Sequence, residues 1–180
     1  MNEDKKLEYQ ELRDEISLVN QMISTIANFS IGGSIAVLGF IIPKIASFGS
    51  IMLFWLPLLI VYPSCLLIVS RIQSVRLIAA YIIVFIEPST DLRFESRAFK
   101  LNPYKLRFRK TILWTYLALI LFDIILFALS GFFSTFDIIC YLISLLLFLL
   151  IYRLMSVNWK EKYIIEWEKV KAYEETTKGI

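Results

Sequence analysis

Four polar side chains, Ser17, Gln21, Ser24 and Asn28, recur at spacings of three and four residues where the chain is turning apolar. At about 100° per helical residue they share one side of a helix, and Gly32 and Ala36 continue the line. Hydrophilic groups at membrane depth face a water-filled cavity or a neighbouring helix. One reading therefore lines an ion path between copies of the chain. The other buries the stripe in interhelical hydrogen bonds, with close packing at the small residues above. Asp123 is the second candidate, the one ionisable residue deep within an apolar run. Such a placement costs roughly 2.5 to 3.5 kcal/mol on insertion scales unless the group is paired or protonated. It fits either a proton or cation pathway or a carboxyl hydrogen-bonded to Asn28, Ser24 or Tyr116.

The elements that must position these groups are membrane helices. With 58% hydrophobic and 15% aromatic residues in a chain of 180, there is more apolar surface than a soluble domain can hide. Four runs, 21–42, 50–69, 111–129 and 137–155, each reach the length of about 20 residues that a hydrocarbon core of roughly 30 Å demands. All four read as helices, because backbone groups in lipid must be satisfied within the segment. The expected fold is all-α: a polytopic membrane protein with four spans in two hairpins. The outer turns, 43–49 and 130–136, have no room for an external domain.

Charge sets the expected orientation. Nine of the nineteen lysines and arginines fall in residues 71–110, three precede the first span and six follow 152, while the outer turns hold Lys44 alone. The positive-inside rule then places both termini and the middle segment in the cytoplasm. This divides the chain into a cytosolic helical stalk (1–20), a first hairpin (21–69), a basic middle segment (70–110), a second hairpin (111–155) and a cytosolic amphipathic tail (156–180). No removable signal peptide opens the sequence. Cys65 and Cys140 fall near opposite ends of their spans, too far apart in depth to bridge within one subunit.

Tyr9, Leu12, Ile16, Val19, Ile23 and Ile26 form a heptad-like seam that begins in the charged tail and enters the membrane, a candidate oligomer contact. A single helix from residue 8 to 42 would be about 52 Å long and would project roughly 20 Å beyond the bilayer. Ile72, Val75, Ala79, Ile82 and Ile86 repeat in the same rhythm, predicting an extension of the second span packed against that stalk and ended by Pro88. Pro57 and Pro63 are expected to kink the second span. Trp159, Tyr163, Trp167 and Val170 form an aromatic stripe amid charges, predicting a helix that lies on the inner membrane surface or contacts the stalk or a neighbouring subunit.

Arg93, Arg97, Lys100, Lys105, Arg107, Arg109 and Lys110 are interleaved with Phe94, Phe99, Tyr104 and Phe108, a basic surface suited to anionic lipid headgroups or an acidic protein. The amino-terminal tail, with six acidic residues against three basic, competes for the same cations. No glycine loop cradles a phosphate, and nothing favours nucleic acid. An enzyme is the least supported class. The chain has no histidine, no cysteine cluster for a metal and no nucleophile elbow, and no cofactor is proposed.

Glu8-Tyr9-x-x-Leu12-Arg13-x-Glu15-Ile16 ahead of a hairpin, followed by Arg71-Ile72-Gln73, Tyr81-Ile82 and Ile86-Glu87-Pro88, resembles a group of uncharacterised small bacterial membrane proteins. The layout over residues 8–88 is also similar to SLATT-type two-span modules associated with antiphage systems, in which a cytosolic helix enters a membrane hairpin. That resemblance implies a pore-forming effector of the bacterial inner membrane, working as a homo-oligomer, with a tetramer as one possible number. The second hairpin departs from the two-span pattern. A membrane-bound sensor or scaffold, docking a partner on its basic face, is the competing expectation.

Overall fold

The computed structural model describes residues 3–44, 55–89, 95, 105–129, 135–157 and 159–178. Its described elements are helical: α1 (Glu3–Ile41), α2 (Leu56–Tyr81), α3 (Lys105–Leu129), α4 (Thr135–Ser156) and α5 (Trp159–Lys178). Four helical stretches are long and apolar enough to cross a membrane: Glu3–Ile41, Leu56–Ile86, Thr111–Leu129 and Ile138–Met155.

The 39 residues of α1 contain no proline, so its hydrogen-bond ladder runs unbroken from the charged tail into the apolar stretch. A short 3-10 turn, Ile42–Lys44, then takes over at Pro43, where the preceding residue is steered away from the α region. The two prolines of α2 differ from the expectation that both would kink it. Pro57 sits in the first turn, where its missing N–H would have had no intrahelical partner, and Pro63 alone lies in the interior. Beside it the Ser64 hydroxyl donates to the Ile60 carbonyl at 2.7 Å. At its other end α2 widens into a π-helical turn, Ile82–Ile86, in which the Glu87 N–H donates to the Ile82 carbonyl. A 3-10 turn, Glu87–Ser89, follows through Pro88. The third helix begins at Lys105 rather than at Thr111, so the last four basic residues of the middle segment are helical.

The chain divides into two compact units. The first comprises Met1–Ile23, Ser70–Leu106 and Val157–Ile180, the second Ser24–Val69 and Arg107–Ser156. In the first, Tyr9, Ile82 and Ile86 form a buried cluster, with Leu12, Ile16, Ile78, Tyr81 and Phe85 packed against it. Burying each such isoleucine contributes about 1.5 to 3 kcal/mol. The start of α1 is thus joined to the end of α2 by its own apolar core. Trp167 of α5 meets Tyr81 and Phe85 edge-on, with ring centroids at 5.3 and 5.8 Å.

The second unit turns large apolar side chains outward: Phe29 is 78% exposed, Leu129 75%, Leu59 67% and Leu146 65%. Water would penalise such a surface heavily, whereas lipid accepts it. Its interior holds Ile41, Val61, Ile68 and Ile120, all nearly inaccessible.

Candidate functional site

The polar stripe lies on the open side of α1. In the first unit Ser17 and Gln21 are exposed; in the second Asn28 is exposed and Ser24 half-buried. The opposite face carries Val19, Ile23, Ala27, Ser30 and Ser34, all buried. Above Asn28 the line continues with exposed Gly32 and Ala36. A side-chain carbon placed on Gly32 or Gly39 would meet nothing within 4 Å, whereas one on Gly33 would touch Ile60 at 3.8 Å. One side of α1 therefore packs within the subunit, and the side bearing the stripe does not.

The seam residues sit on the packed side. Tyr9, Leu12 and Ile16 belong to the first unit's core, Val19 and Ile23 are buried, and Ile26 is half-buried. Intrachain packing thus occupies the surface expected to join copies of the chain. The 3-4 rhythm reports a face that packs but not its partner, and here the partner at the lower end is the α2 extension.

Asp123 is separated from the stripe. It is 0% exposed on α3, its Oδ2 accepts from the Tyr141 hydroxyl of α4 at 3.4 Å, and its Oδ1 has no hydrogen-bond partner among the described residues. Tyr141 is held by Trp55, stacked at 5.0 Å, and by Phe127, also at 5.0 Å. None of the partners expected from sequence reaches the carboxyl. Asn28 faces outward, and the Tyr116 hydroxyl is hydrogen-bonded to Ser30 of α1. A similar pair joins α2 to α4, where the Tyr62 hydroxyl meets Ser144 at its side-chain oxygen and donates to its carbonyl at 2.6 Å. Sequence reading missed both bridges. Their signal was weak, a tyrosine and a serine in each case isolated within an apolar run.

In the first unit, polar groups are met by long side chains. Tyr81 donates to Glu8 at 2.8 Å, Arg76 donates to the Val157 carbonyl at 2.8 Å, and Lys171 donates to the Val84 carbonyl at 3.3 Å. The α-helical donor for Val84 would be residue 88, a proline without an N–H, so the lysine supplies what the sequence removed. Glu95 receives Lys160 at 4.0 Å, and its own N–H donates to Glu87 at 2.6 Å. The aromatic stripe of α5 is engaged inside this unit through Trp167, the contact with the α2 extension described above.

Arg93, Arg97 and Lys100 lie outside the described residues, and Lys105, Arg107, Arg109 and Lys110 are described only as the first turns of α3. Both cysteines are free thiols. Among the described residues no group of three acidic, histidine or cysteine side chains could hold a metal ion. Comparison with protein-family models, with curated proteins and with solved structures finds no match for the chain.

Proposed function

We propose that the chain assembles as a homo-oligomer in a bacterial inner membrane, with both termini cytoplasmic, and that the stripe on α1 lines an ion-permeable path between subunits. The observation that carries this reading is the exposure of Gln21 and Asn28 on a helix whose other face is buried. Amides at membrane depth need hydrogen-bonding company, and neither packs inside its own subunit. A second copy presenting the same face, or water between copies, meets that need. The resemblance to antiphage effectors suggests opening in response to infection, with a tetramer as a working stoichiometry. In liposomes, Gln21→Leu together with Asn28→Leu should abolish ion flux while leaving membrane insertion intact. Unchanged flux would remove the pore.

A sensor or scaffold is the second reading, favoured by the first unit, which has a core and polar contacts of its own. Under it, charge reversal at Arg93, Arg97 and Lys100 abolishes recovery of a cytosolic partner, and the α1 substitutions have no effect.

A further inference from the structure

We propose that Asp123 is a proton-binding site, a carboxyl held neutral between α3 and α4 whose proton controls their contact through Tyr141. The carboxyl is fully enclosed, one oxygen has no partner among the described residues, and the other has a single long hydrogen bond. An ionised carboxylate has two oxygens that accept and none that donate, so enclosure with one weak donor leaves most of its charge unanswered. The neutral acid has far less to lose.

The surroundings exclude the obvious alternatives. Stretches 24–41, 56–69, 111–129 and 138–152 contain no lysine, arginine or histidine to neutralise the charge. The titratable side chains on the packed spans are Tyr141 and Cys140 on α4, Tyr116 on α3, and Tyr62 and Cys65 on α2, while α1 offers none between Ser24 and Ile41. Of these, Tyr141 is the one that reaches the carboxyl; Tyr116 and Tyr62 are committed to Ser30 and Ser144. A hard metal cation would need about six oxygen ligands, and the carboxyl and one hydroxyl fall far short. A proton needs only the carboxyl.

Tyr141 makes the site consequential. Its ring is clamped between Trp55 and Phe127, so it cannot follow the carboxylate without disturbing α2 and α3. Loss of the proton puts an uncompensated charge between α3 and α4, and the relief available is separation of the two helices or entry of water. High pH therefore loosens this contact and low pH restores it. The site is apart from the α1 stripe and does not depend on its being a pore.

The test is infrared difference spectroscopy on the full chain in lipid nanodiscs. At neutral pH the wild type minus Asp123→Asn spectrum should show the carbonyl stretch of a protonated carboxylic acid, fading as pH is raised. A difference containing only carboxylate bands at neutral pH would overturn the proposal. Should the asparagine variant fail to insert, Tyr141→Phe keeps the site testable: loss of its one hydrogen bond should shift the carboxylic-acid band, and an unshifted or absent band counts against it. Neither readout involves conductance, so failure of the pore and failure of this site are told apart.

Discussion

The two units answer the same problem, the buried polar atom, with different side chains. In the first, charged groups on long stems reach across: Lys171 to Val84, Arg76 to Val157, Glu8 to Tyr81. In the second, the described interhelical bonds between Ser30 and Tyr116 and between Tyr62 and Ser144 are made by neutral hydroxyls, and the one charged-type residue between the helices, Asp123, is left half satisfied. Desolvation explains the split. A lysine or glutamate near water loses little of its hydration when it makes a contact, while the same group in hydrocarbon loses nearly all of it. A tyrosine hydroxyl carries its donor on a rigid apolar ring and costs little to bury when it finds an acceptor.

Three substitutions sharpen or break this contrast. The largest effect is expected from Ile82→Ala, which empties a fully buried position in the first unit and should cost about 2 to 5 kcal/mol. Hydrogen exchange should rise over 3–23 and 159–178 and stay unchanged over 111–129; equal loss in both units would mean that they are not separate structures. Next, Lys171→Met should cost about 1 kcal/mol by orphaning the Val84 carbonyl. In a Pro88→Ala background, where residue 88 regains an N–H, the same change should cost less. An identical cost would show that the lysine is not replacing the proline's missing donor. The smallest effect belongs to Tyr62→Phe, about 0.6 kcal/mol and at most roughly 1.7, the range of interhelical hydrogen bonds in membranes. A double-mutant cycle with Ser144→Ala, read by unfolding in mixed micelles, should recover that coupling, and a cycle summing to zero would dissolve the bridge.

Much of this molecule is legible without coordinates. Hydrocarbon thickness and backbone satisfaction leave few options for an apolar run of twenty residues, so the four candidate spans appear where hydropathy alone puts them. The long first helix is legible too, because neither proline nor polar punctuation interrupts it. Partner choice is not. The seam from Tyr9 to Ile26 announces a packed face, but a period of 3.5 is the same whether the neighbour is another copy or the next helix of the same chain. Tertiary hydroxyl pairing leaves no periodic trace at all, which is why Asp123 was matched to Tyr116 when Tyr141 holds it. The π turn at Ile82–Ile86 is equally silent, since its residues are those of any buried helix.

That wide turn has a bearing on how the gene tolerates change. Adding one residue per turn advances helical phase by about 100° for everything downstream. Excision of a single codon between Ile82 and Ile86 would therefore be far harsher than most point substitutions there. It would swing Glu87 and Pro88 to a different bearing and carry the Val84 carbonyl away from Lys171.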